Sequence, residues 1–284
     1  MENRLIRIAK MFGICLFIIL VLSVSVLFND VRNFRNIDNT DHLSGQRIGV
    51  VCGWESDYFL TPRNDITLKR YDTPSDMFMA LNYKQVDAIA VDTGLYEFAK
   101  TSISNIKHIG DPLDSFMYTF YTKKGSDYEK QMNEFIDYYM KTDEYKEYKQ
   151  KAYTIDWINS DEYSEPTGTG KVLKVGYCVD YYPGIFLDAD GEVKGIESEF
   201  IRRFANYYNY QLEWVVVTGE NFQHSLINET TDIVSCQASD LYRSEIEYET
   251  SKVSMTDGFL NSDIYLLVPD GQMRVDSTKF FDAY

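Results

Sequence analysis

The chain has 284 residues, enough for one large domain or two of ordinary size. Hydrophobic residues make up 44% and charged residues 25%, a globular composition. A net charge of −16 argues against nucleic acid or an anionic membrane surface as partner of the soluble part.

Met11–Phe28 is an uncharged apolar run preceded by Arg4, Arg7 and Lys10. It is longer than a signal-peptide core, and no clean cleavage site follows it, so residues 1–30 read as a basic flank and transmembrane anchor. A cleaved signal is the alternative. The basic flank stays on the cytoplasmic side and sends the remainder outside the cell membrane. Residues 31–42 form a polar stalk. Arg47–Val51 reads as a strand ending near Gly53, and Ile66–Arg70 as a second. Thr73-Pro74-Ser75-Asp76 opens a helix with a capping hydroxyl, proline in the first turn and an acid behind it. Val86–Asp92 is apolar between its two aspartates, as a central parallel strand should be.

A helix over Thr93–Lys100, strands near Lys107–Ile109 and Ser115–Tyr121, and an amphipathic helix after Gly125-Ser126 follow. A last short helix, Glu144–Tyr153, closes a unit spanning residues 43–153. Thr154–Gly170 is acidic, ends in PTGTG and reads as a linker. The second unit, 171–268, runs strand (Val172–Cys178), turn (Asp188–Gly191), helix (from Ile196), strand (Leu212–Val217), helix (Phe222–Ile227) and strand (Asp232–Cys236). Strands alternating with helices predict α/β layers with parallel-dominated sheets. Residues 269–284 show neither period and read as a truncated, hinge-like tail.

The second unit resembles the first lobe of the bacterial family 3 solute-binding proteins. The likeness rests on Tyr182-Pro183, Phe186, the GEVKGIESEF stretch, Asp232-Ile233-Val234 and the position of Arg243. Residues 43–153 resemble that family's second lobe and closing helices, through SGQRIGVVCG, VDAIAVD and KTDEYKEYKQKAY. The resemblance implies a periplasmic-binding-protein-like (type II) fold and a small polar ligand such as an amino acid. The lobe order is inverted relative to the family. Two incomplete tandem copies are the expectation, with two lobes closing on each other in swapped order as the alternative.

The resemblance also places the site. Arg243 would clamp a carboxylate through its rigid fork of donors, with Asp240 beside it. Asp92 would hold the ligand's ammonium, or alternatively only cap a helix. Tyr181, Tyr182 and Phe186 would stack over the solute, and Gly53 would begin an anion-binding turn. Here that turn reads Gly53-Trp54-Glu55, a departure from the family's Gly-Thr-Thr. Glu197 and Glu199 lie in a helix's first turn, where the helix dipole favours acids, and receive no ligand role.

Cys52, Cys178 and Cys236 lack metal-ligand spacing and the three histidines are scattered, so no metal is expected. The three thiols allow one disulfide at most, and buried strand positions are the reading. No catalytic triad order or nucleotide-binding loop is present, so neither enzymatic activity nor a cofactor is expected. The expectation is a transport receptor serving a permease. The ligand-sensing region of a diguanylate cyclase or histidine kinase, and a degenerate non-binding module, are the alternatives.

Overall fold

Arg47–Val51 (β1) is buried from Ile48 onward, the pattern of a strand covered on both faces. Parallel neighbours flank it, Thr67–Tyr71 (β2) on one side and Ala88–Val91 (β3) on the other. The computed structural model describes residues 40, 43–236, 238–243 and 252–275. These lie within Asn39–Tyr284, one compact unit. The anchor expected at Met11–Phe28 and all of the stalk but Thr40 fall outside the described residues. Among those described, no helix is long and apolar enough to cross a membrane.

Helices Glu55–Leu60 (α1), Pro74–Asn82 (α2) and Thr93–Ser102 (α3) connect and follow these strands. The Thr73 hydroxyl accepts from the Asp76 amide and caps α2, as its sequence predicts. Then come Ile103–His108 (β4), Asp114–Tyr118 (β5) and Tyr121–Lys123 (β6), followed by helices Asp127–Tyr139 (α4), Asp143–Lys151 (α5) and Ile155–Ile158 (α6). The second half begins with Val172–Tyr177 (β7), Asp180–Tyr181 (β8), Ile185–Leu187 (β9) and Val193–Lys194 (β10). Helix Ile196–Tyr207 (α7), strand Gln211–Val216 (β11), helix Phe222–Ile227 (α8) and strand Ile233–Ser235 (β12) complete its α/β repeat. A short turn of helix at Asp240–Tyr242 and strands Val253–Met255 (β13) and Leu260–Val275 (β14) end the described chain.

Two main sheets result. The first runs β2-β1-β3-β14-β4, with β5 also paired to β14; the second runs β11-β7-β12-β6-β13. In each, the three strands on one side are parallel and an antiparallel strand is inserted next to them. The inserted strand always comes from the other half of the chain. β6 belongs to the first half by sequence and lies between β12 and β13; β14 belongs to the second half and lies between β3 and β4. The sheets are therefore mixed rather than parallel-dominated, because a strand returning from the opposite lobe enters running the other way.

The exchange joins the two halves of the chain, each half completing the other's sheet. The expected single strand Ser115–Tyr121 is broken at Thr119-Phe120, where the chain leaves the first lobe. The tail differs too: Asp270–Val275 continues β14 and pairs with β4. A register shift between Pro269 and Arg274, with Gly271 at φ +108°, disrupts the alternation that would have revealed it.

The two crossings run side by side. The Thr256 amide donates to the Phe120 carbonyl and the Phe259 amide to the Tyr118 carbonyl, both at 2.9 Å. Phe120 and Phe259 stack with centroids 4.7 Å apart, and Phe200 of α7 closes on Phe259 at 4.3 Å. All three rings are fully buried, each worth about 1.5–3 kcal/mol in water exclusion. Helices α4 and α5 cover this cluster from the second-lobe side, with Phe135 against Phe200 and Phe204. The Tyr145 hydroxyl donates to the Phe259 carbonyl and the Tyr148 hydroxyl to the Ile196 carbonyl. The segment expected as a linker contains α6 and then runs along α7, where Ser164 bonds Glu199 and Thr167 bonds Asn206.

Cys178 and Cys236 form a disulfide, Cα atoms 5.2 Å apart, and Cys52 is free and exposed. This corrects the expectation of buried thiols. Neighbouring parallel strands bring the cysteines together: Tyr177 of β7 is in register with Ser235 of β12, and each cysteine follows its partner residue. The bridge closes a sequence separation of 58 residues. Its removal by Cys178→Ser should lower unfolding free energy by roughly 2–4 kcal/mol, read from urea melts of oxidised protein. A melt identical to that of the unsubstituted chain would show that the bridge contributes nothing.

Candidate functional site

The parallel strands of both lobes end at the same place. β1 runs into Gly53-Trp54-Glu55 and α1; β3 runs into Asp92 and α3; β7 runs into Tyr181; β12 runs into Ser239 and the turn at Asp240–Tyr242. In open α/β sheets, ligands sit beyond these carboxyl ends. Here the ends of the two lobes meet. Trp54 stands edge-on to Tyr181 with centroids 4.9 Å apart. The Tyr242 hydroxyl donates to the Gly53 carbonyl at 3.2 Å, and the Met117 amide to Asp240 Oδ1 at 2.9 Å. A Cβ on Gly94 would come within 2.6 Å of the Pro183 ring, so α3 and the β8–β9 turn are in close approach.

The residues expected from the sequence fall into three groups. Asp92 is 4% exposed and does the capping alternative: Oδ1 accepts from the Leu95 amide at 2.7 Å, and Oδ2 from the Tyr118 hydroxyl at 3.1 Å. Burial pushes its carboxyl up, against the pull of those donors. Tyr181 lies within the inter-lobe contact, whereas Tyr182 packs between Phe98 and Phe186, at 5.4 and 4.9 Å. Gly53, at φ +77°, gives its amide to Asp57 Oδ2 at 3.0 Å rather than to an open turn. Only glycine adopts this backbone without strain.

Arg243 is placed away from the carboxylate-clamp role. Its Nη1 and Nη2 donate to the main-chain carbonyls of Met255 and Thr256, at 2.8 and 2.6 Å. It thereby braces the chain where β13 leaves the second lobe. Asp240 is exposed and holds the Met117 amide, a tie between lobes.

Two acids that sequence reasoning left aside are the most deeply placed. Glu55, at the start of α1, is 1% exposed, and neither of its carboxyl oxygens has a hydrogen-bond partner. Glu197, in the first turn of α7, is fully buried; Oε2 accepts from the Ser235 hydroxyl and Oε1 has no partner. The Tyr181 hydroxyl lies beside Glu55 and the Tyr118 hydroxyl without full hydrogen-bond geometry to either, and the fully buried Ser239 hydroxyl has no partner. Burial, then the Asp92 charge and at shorter weight that of Glu197, drives the Glu55 carboxyl well above its ordinary range. Burial raises Glu197 to about 8, with the Ser235 bond opposing. Tyr118, Tyr121, Tyr181 and Tyr242 are all pushed upward, by burial first, and remain neutral donors. Among the described residues no group of three or more His, Cys, Asp or Glu is arranged to hold a metal ion.

The signal for Glu55 was the departure at Gly53-Trp54-Glu55 itself: a short turn in which an acid replaces a hydroxyl residue. For Glu197 it was the acid following Gly195-Ile196. In neither case does sequence separate burial from an ordinary acidic helix start.

Comparison with known proteins bears out the resemblance of the second unit. The model of "Bacterial extracellular solute-binding proteins, family 3" matches residues 173–264; it describes binding proteins rather than enzymes. A search of curated proteins finds no match. Among solved structures, the ligand-binding component of an ABC-type import system from Staphylococcus aureus, with zinc bound, is 12% identical over 80% of this chain, with a TM-score of 0.43; the match spans 66% of that chain. The probable amino-acid ABC transporter extracellular-binding protein ytmK from Bacillus subtilis is 8% identical, covering 81% of this chain and 86% of that one, TM-score 0.45. The periplasmic VFT2 domain of BvgS from Bordetella pertussis is 10% identical, covering 89% and 90%, TM-score 0.42. The expected fold class holds in its coarser form, α/β lobes of periplasmic-binding-protein type with mixed sheets.

Two outcomes follow from this geometry. An acid raised in the folded state keeps its proton where the unfolded chain has lost it, so stability falls as pH rises from the ordinary glutamate range through about 8. Glu197→Gln should flatten that fall by a few kcal/mol in pH-dependent urea melts; an unchanged pH profile would place the group elsewhere. Arg243→Ala should cost about 1–3 kcal/mol of stability, since two carbonyls lose charged donors. Lost ligand affinity at unchanged stability would return Arg243 to the clamp.

Proposed function

We propose that this chain, with its family 3 match at residues 173–264, is a membrane-anchored solute-binding module whose lobes close on a small polar solute, an amino acid or a similar amine. The observation that carries the reading is the meeting of both lobes' strand ends around buried polar atoms that lack well-formed hydrogen bonds, those of the Glu55 carboxyl, Glu197 Oε1, and the Tyr181 and Ser239 hydroxyls. Buried polar atoms are ordinarily satisfied, and a cluster of exceptions marks a place where something binds. Two crossings braced against each other supply a hinge of the kind used in lobe closure.

The soluble part lies outside the cytoplasm in this reading. The Cys178–Cys236 bridge supports that, since such bonds persist in oxidising compartments. Met11–Phe28 would hold the module to the membrane, where it presents its solute to a permease. An uncleaved anchor also favours a second reading, in which closure drives a signalling output domain of diguanylate cyclase or histidine kinase type.

A thermal-shift screen of amino acids, amines, organic acids and sugars on the purified chain tests the proposal. A true ligand at a hundred times its dissociation constant should stabilise by about 2.7 kcal/mol and raise the melting temperature. A library without a single stabilising solute would identify a degenerate module instead.

A further inference from the structure

The buried cluster between the lobes has a definite chemical sign. Glu55 comes from the first lobe and Glu197 from the second, and three of their four carboxyl oxygens have no donor. Asp92 adds a third buried carboxyl, whose oxygens are already taken by the Leu95 amide and the Tyr118 hydroxyl. Among the described residues, no Lys, Arg or His forms an ion pair with Glu55, Glu197 or Asp92. Every arginine and lysine pairing found with an acid lies elsewhere, as at Arg70–Asp57, Arg203–Glu199 and Lys194–Asp188. Burial keeps both glutamates protonated at neutral pH, and a bound cation would draw them to their charged form.

A separate observation points the same way. The Tyr181 hydroxyl, in a residue 2% exposed, lies beside Glu55 and the Tyr118 hydroxyl and makes no bond of full hydrogen-bond geometry with either. Its ring meets Trp54, and a Cβ on Gly184 would touch both that ring and Glu197 Oε1. Aromatic faces and carboxylates thus converge from both lobes, the surroundings that favour an organic ammonium group. A metal ion would need a denser set of ligands than the described residues offer.

Resting on the solute-binding reading above, we infer that the recognised solute is a small organic amine with net positive charge, its ammonium group bridging Glu55 and Glu197. Closure then depends on the ligand: the cation takes the place of the protons that burial holds on each lobe's glutamate, and neither lobe alone presents both. A zwitterion would bring a carboxylate to a site that already holds three acids, with two Arg243 donors committed to main-chain carbonyls.

The test uses the full chain and a probe panel of putrescine, agmatine and choline, with glycine, glutamate, acetate, magnesium and glucose as contrasts. At least one amine should raise the melting temperature and bind in calorimetry, while the contrasts do not. Glu55→Gln and Glu197→Gln should each weaken that amine by about thirtyfold or more. Both are isosteric and remove a buried acid, so both should fold, and their melting temperature without ligand at pH 8 should match or exceed that of the unsubstituted chain. Stabilisation by glycine, glutamate, acetate or glucose without any amine response would overturn the inference and leave the solute-binding reading standing. Stabilisation by magnesium alone, or amine binding that survives both substitutions, would overturn it as well. Silence across the panel, with a hit elsewhere in the wider solute library, has the same meaning; silence in both sinks the two readings together.

Discussion

The paired crossings between the lobes are the constraint on which everything else depends. At Tyr118–Phe120 the chain leaves the first sheet, and at Thr256–Phe259 it returns, with main-chain hydrogen bonds joining the two passages. Each passage delivers the strand that completes the opposite sheet. The aromatic cluster of Phe120, Phe200 and Phe259 fixes their spacing. The strand ends of both lobes are thereby aimed at one another, with Trp54 of the first against Tyr181 of the second.

Much of the fold was legible because it is local. The strand at Arg47–Val51, the capped helix at Thr73 and the apolar faces of α4 and α7 follow from periodicity and turn chemistry. The exchange of strands was not, because β6 and β14 carry no mark of the sheet they join. Pairing across more than a hundred residues is decided by which edge remains open, and that edge exists only once the rest has folded. The disulfide was hidden for the same reason: the register of β7 on β12 places Cys178 beside Cys236, and a register is a property of the pair.

The site was legible in a different way. Arg243, Asp240 and Gly53 were singled out by analogy, and each is engaged with the protein's own groups, two carbonyls, the Met117 amide and Asp57 respectively. Glu55 and Glu197 look like acids attracted to helix starts, which explains their position equally well without any ligand. Their distinction lies in desolvation, and desolvation is a property of the packed fold. Tyr181 is intermediate: its stacking role was foreseen, while the partner, Trp54, comes from the departure at Gly53-Trp54-Glu55.

The strand exchange also sets an order of events for a chain made from its N-terminus. β3 ends at Val91, and its neighbour β14 begins at Leu260. Until that stretch has emerged, β3 and β4 border an open slot with unpaired main-chain groups on both sides. The second sheet, by contrast, has its inserted strand β6 waiting before β7 is made. The lobe that is begun first is therefore finished last, and loop closure over this span makes that final insertion slow. During synthesis or export, the slot between β3 and β4 is where a chaperone or another copy's strand would compete with β14.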